Sequence, residues 1–181
     1  FSDTQGKYTT AIGWGVLQSQ NFTSDTATHN TAVGYNAGAA VTTGTGHTLI
    51  GALAGDALTT ATFNTAVGYG ALSADTIGNK STAIGYAALF NQNYTSATDA
   101  YNTAVGFHSG VSVTTGIHNT IIGGLAGDAL TDGSNNTGIG KDALSSTTTG
   151  GTNTAVGIAC MQYNTTASNN SALGYNALNA N

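Results

Sequence analysis

The side chains in this sequence that could move protons, ligate metals or activate a nucleophile are four histidines, His29, His47, His108 and His118, and eight aspartates. A Ser/His/Asp site has its residue types, but no Gly-x-Ser-x-Gly elbow occurs to expose a nucleophile. The histidines have no Cys/His ligand spacing around them, so they read as surface or ladder substitutes and no metal is expected. Asp56, Asp128 and Asp142 recur in turns but do not lie on adjacent repeats as a set, which favours turn hydrogen bonding over calcium. The clustered carboxylates of a glycosidase are missing. No glycine-rich phrase has the Gly-Lys-Ser/Thr ending of a phosphate loop. The expectation is a non-enzyme without cofactor.

The elements that carry these residues come from a repeat. A glycine sits inside Asn-Thr-Ala-Val-Gly-Tyr or a close variant at Gly13, Gly34, Gly51, Gly68, Gly85, Gly106, Gly123, Gly140, Gly157 and Gly174. The spacings are 21, 17, 17, 17, 21, 17, 17, 17 and 17. The two long spacings contain similar insertions, Gln18–Asp25 and Asn91–Asp99, and four coils plus one insertion make a 72-residue super-repeat, about 30–101 and 102–173. Leu53–Leu58 thus recurs as Leu125–Leu130.

Alignment on the glycine produces columns. Four residues before it stand mostly asparagines, among them Asn30, Asn64, Asn102, Asn119, Asn136, Asn153 and Asn170. Three before stand threonines such as Thr31, Thr65 and Thr103. Immediately before it only Ile, Val or Leu occurs. Immediately after it aromatics predominate: Trp14, Tyr35, Tyr69, Tyr86, Phe107 and Tyr175. Four after it stands Leu, Gly or Met.

A period of 17 is too short for a pair of helices and suits one coil of a parallel β-solenoid, two short strands and two turns. The β-branched and aromatic alternation of Thr-Ala-Val-Gly-Tyr agrees with a strand. The reading is therefore all-β: a β-roll of about ten 17-residue coils, one array over 1–181, open at both ends. Stacked coils place like residues over like, so asparagines can bond side chain to side chain along the axis and aromatics can stack. The Val/Ile column and the Leu four after the glycine are expected to fill each coil. The Ala and Gly positions then allow close approach of a neighbouring chain.

Composition explains why such ladders are needed. Val, Ile, Leu and Phe number 33 of 181 residues, and net charge is only −5, so the chain is poor in core formers without being a polyelectrolyte. A thin coil of this kind gains buried area by lateral association, and a homotrimer or an end-to-end filament is expected. Three Lys and Arg residues exclude a nucleic-acid-binding stripe. No apolar run spans a bilayer. One cysteine, Cys160, excludes an internal disulfide framework.

The phrases Ser81–Gly85 and Asn30–Gly34 resemble the head repeat of YadA-like trimeric autotransporter adhesins, a trimeric β-roll. They are also similar to the Asn-Thr-Ala-Ile-Gly-Tyr repeats of phage tail-fibre proteins. The longer coil and the aromatic after the glycine bring the chain nearer the second group. The resemblance covers nearly the whole chain. It implies a structural segment of an extracellular or virion fibre, such as a tail fibre or surface filament. The alternative it implies is an adhesin module binding cell-surface glycans, with Trp14, Tyr35, Tyr69, Tyr86 and Phe107 as contacts. Sequons at Asn21 and Asn93 fall in the insertions, which should bulge outward and accept glycans.

Overall fold

The structure, a computed structural model, describes Asp3 and residues 5–179. The outermost residues of the 1–181 array, together with residue 4, lie outside that description. Each repeat contributes one three-residue strand: Thr10–Ile12, Thr31–Val33, Thr48–Ile50, Thr65–Val67, Thr82–Ile84, Thr103–Val105, Thr120–Ile122, Thr137–Ile139, Thr154–Val156 and Ser171–Leu173. They form one ten-stranded parallel sheet whose spatial order is the chain order. Register is residue on residue: Thr31 on Thr48, Ala32 on Leu49, Val33 on Ile50, and so through the array. No helix occurs among the described residues. The chain is a parallel β-solenoid of about ten turns.

Two small parallel pairs, Gly6–Lys7 with Thr26–Ala27 and Gly78–Asn79 with Thr98–Asp99, accompany the insertions. The second strand of each pair lies at the C-terminal end of an insertion. Neither insertion lies wholly outside, because Phe22 and Tyr94 are buried. Tyr94 donates its hydroxyl to Gly116 O across 2.8 Å and fastens the insertion to the next coil. Burial raises the pKa of that phenol.

The second side of each coil is not the strand that the period suggested. Two residues after the glycine, and again four after it, the backbone is left-handed: Leu53 has φ 58° and Leu72 has φ 55°. That conformation breaks the pleat but not the axial bonding. Leu53 N–H donates to Tyr35 O (2.9 Å), Leu72 N–H to Ala88 O (3.0 Å) and Thr59 N–H to Thr76 O (2.8 Å). Backbone polar groups on both sides therefore bond from coil to coil, as buried peptide groups require.

The interior reverses one expectation. Ala32, Ala66, Ala83, Ala104 and Ala155 point inward and are fully buried, whereas the Ile/Val column points out. Ile12 is 60% exposed and Ile84 38%. The Asn column decides this. Asn102 must lie inside to bond between coils, and strand alternation then puts Ala104 inside with it and Thr103 and Val105 outside. The other expected filler, Leu17, Leu72, Leu89, Leu144 or Met161 four after the glycine, is fully buried.

Volume is conserved within each coil by a paired choice. Where the fourth residue after the glycine is Leu or Met, the seventh is polar: Gln20, Asp75, Gln92, Thr147 or Asn164. Where the fourth is Gly, the seventh is Val41, Leu58, Val113 or Leu130. A Cβ on Gly55 would meet Leu58 at 2.7 Å and Leu49 at 2.8 Å, so the larger partners occupy the space that Leu fills elsewhere. Leu144→Ala, in a coil without such a partner, is expected to cost about 3 kcal/mol in denaturant unfolding. A cost below about 1 kcal/mol would mean the coil collapses onto the gap.

Candidate interaction surface

The column four residues before the glycine is an internal ladder, but its bonding is side chain to backbone. Asn119 Oδ1 accepts the N–H of Asn136 at 2.9 Å, and Asn119 Nδ2 donates to Gly133 O at 2.9 Å. Asn136 repeats this with Asn153 N–H (3.0 Å) and Gly150 O (2.9 Å). Asn30, Asn64, Asn102 and Asn153 bond alike, each serving two peptide groups that the turn would otherwise orphan. Asn170 adds a side-chain bond to Asn153, 3.3 Å, the form that the ladder was expected to take throughout. Thr31, Thr65 and Thr103 stand in register on the outward face, half-buried.

Sequence reasoning missed two further columns. Thr59, Thr131 and Thr148, eight after the glycine, donate their hydroxyls to the carbonyls of Thr76, Thr148 and Thr165 at 3.0–3.2 Å. The regular spacing of threonines at this position was the available signal. The second is a relay beside each insertion. Gln92 Nε2 donates to Asp75 Oδ2 (2.7 Å), and Gln92 Oε1 accepts from Asn102 Nδ2 (2.9 Å). One super-repeat earlier Gln20 joins Asp3 (2.7 Å) to Asn30 (3.0 Å). Burial raises the Asp75 pKa. At the more open Asp3, burial pulls the same way, but bonds from Gln20, Gly6, Gln5 and Phe22 prevail and lower it.

Outside, the sheet presents Thr and Ile/Val columns between two rims of rings. On one rim Trp14, Tyr35, Tyr69, Tyr86 and Phe107 are 48–65% exposed. Trp14 stacks on Tyr35 at 5.1 Å, and Tyr69, Tyr86 and Phe107 follow at 5.4 and 5.3 Å. Tyr86 thus has a ring on each face, and Trp14, Tyr35 and Tyr69 have a ring on one. Where Ala52 and Gly124 interrupt this column, the next residue is a half-buried leucine, Leu53 or Leu125. On the other rim His29 stacks on Tyr8 (5.3 Å) and His118 lies by Tyr101 (5.8 Å). His108 joins the first rim, 4.2 Å from Phe107.

The chain's three basic side chains are all paired: Lys7 with Asp25, Lys80 with Asp99 (2.6 Å) and Lys141 with Asp142. Such exposed pairs contribute little each. Among the described residues no three His, Cys or Asp side chains come together as a metal site. No helix there is long and apolar enough to cross a membrane. Asn21 and Asn93 are exposed. Compared with known proteins, the chain matches no family model, no curated protein and no solved structure.

Proposed function

We propose that this chain is a structural repeat segment of an extracellular or virion fibre, and that it associates laterally with copies of itself as a homotrimer. The observation that carries the reading is the outward face of the ten-stranded sheet. Its Ile/Val column runs past every coil but the last, where Leu173 takes the place, rings line its rims in most coils as far as His118, and its lysines, Lys80 and Lys141, are each paired with an aspartate. Ten coils at about 4.8 Å make a rod roughly 50 Å long. Seven residues from rim to rim make it about 20 Å wide. The product, roughly 1,000 Å², meets the ~800 Å² per partner of a standard interface.

Sedimentation equilibrium tests it. The 17.9 kDa chain should run as a trimer of about 54 kDa, three times that mass, at micromolar concentration. The double substitution Ile84→Lys with Val105→Lys places charge in the centre of the face and should return it to monomer with its circular dichroism unchanged. A wild-type chain that is monomeric at 100 micromolar refutes lateral association.

A second reading, adhesion to cell-surface glycans through Trp14, Tyr35, Tyr69, Tyr86 and Phe107, has the exposure of those rings in its favour. A sugar packs on a ring face, however, and stacking occupies one face of Trp14, Tyr35 and Tyr69 and both faces of Tyr86. Glycan-array binding that is lost in Trp14→Ala would favour it over the shaft.

A further inference from the structure

The coils of Gly51 and Gly123 occupy equivalent places in the two super-repeats. Each has a large inward residue before the glycine, Leu49 or Ile121. Each has Gly four after it and Leu seven after it. They differ in the ladder column, where the first has His47 and the second Asn119, both fully buried. The imidazole performs both tasks of the amide. His47 Nδ1 faces the N–H of Asn64 at 3.2 Å, and Nε2 faces the carbonyl of Ala61 at 2.9 Å.

These partners fix the ring's proton. A carbonyl only accepts, so Nε2 carries the hydrogen. A peptide N–H only donates, so Nδ1 must offer its lone pair. The ring is therefore held neutral in one tautomer. A proton on Nδ1 would set N–H against N–H and leave the Asn64 amide unpartnered between two coils. An asparagine in the same place has no such second state.

The surroundings offer nothing to stabilise a charged ring. Its backbone N–H donates to Asn30 Oδ1 (3.0 Å), and the neighbouring interior positions are Val41, Leu49 and Leu58. The buried acid of this region, Asp75, lies on the coil of Gly68 and is engaged by Gln92 and Gly78. Burial lowers the His47 pKa to about 4 from the ordinary 6.5.

We propose that His47 is an acid-sensitive seam: on protonation the junction between the coils of Gly51 and Gly68 opens, while the equivalent junction above Asn119 stays closed. The folded state binds fewer protons at this site than the open state. The stability due to the neutral ring is complete above about pH 6.5 and is lost as pH falls towards 4. Asp75 acts oppositely. Its pKa is raised on folding, so acid favours the closed form there, and a global melting temperature would mix the two. A local readout separates them.

Amide hydrogen exchange on the intact chain, corrected for intrinsic rate, supplies it. From pH 7 to pH 5 the opening constant at the Asn64 amide should rise roughly 20-fold relative to that at Asn136. His47→Asn restores the residue found elsewhere in the column and should abolish that rise. Asn119→His should create the same rise at the Asn136 amide. The seam is overturned if His47→Asn keeps the acid dependence at Asn64, or if the His47 ring in the folded protein titrates near 6.5 by NMR.

Discussion

Gly68→Ala is expected to destabilise the rod by about 3–5 kcal/mol, through a clash that no side-chain rotation relieves. Gly68 has φ +132°, outside the range an L side chain favours, and an added Cβ would sit 2.4 Å from the carbonyl oxygen of Gly85. That oxygen belongs to the same column one coil on, so relief means displacing the backbone of a neighbouring coil. The control is Gly124→Ala. There the added Cβ meets nothing within 4 Å, and the change should be neutral or stabilising by up to about 1 kcal/mol. Urea unfolding of the two variants is the measurement. Equal costs would mean that the glycine column is an accident of composition.

Asn136→Leu should cost about 2–5 kcal/mol despite gaining apolar volume. It removes the acceptor of the Asn153 N–H and the donor to Gly150 O, and each orphaned buried group costs about 1–3 kcal/mol. The loss is local: exchange at the Asn153 amide should quicken more than at Asn64, five junctions away and served by His47. Since imidazole already fills the column at His47, Asn136→His should lose far less than Asn136→Leu at pH 8. Unchanged protection of Asn153 in the leucine variant would show that the ladder is not what closes the junction.

How much of this the sequence disclosed depends on what a column can reveal. The spacing of the glycines gives the winding, and residue-on-residue pairing of Thr31 with Thr48 follows from it. Alternation alone left the buried face open, and choosing Val and Ile for the interior followed hydrophobicity alone. The deciding fact was the asparagine two residues earlier, whose amide is useful only inside. Once Asn102 is placed inward, Ala104 follows and Val105 is outside. The left-handed backbone at Leu53 and Leu72 had no signature, because leucine rarely adopts it and the stacked coils impose it. The trade between positions four and seven after the glycine was on view in the letters. It needed the closeness of Gly55 to Leu58 to acquire meaning.

One property of the ladder reaches beyond stability. Every inter-coil bond, from the Gly68 amide to the Ile50 carbonyl (2.8 Å) or from the Thr48 amide to the Asn64 carbonyl (3.0 Å), joins one turn only to the next. These bonds lie along the long axis, so tension between the two termini loads them in series and peels one winding at a time. Within a single chain, extra windings lengthen the rod without toughening it. Its tensile limit is that of its weakest junction, whatever the number of repeats.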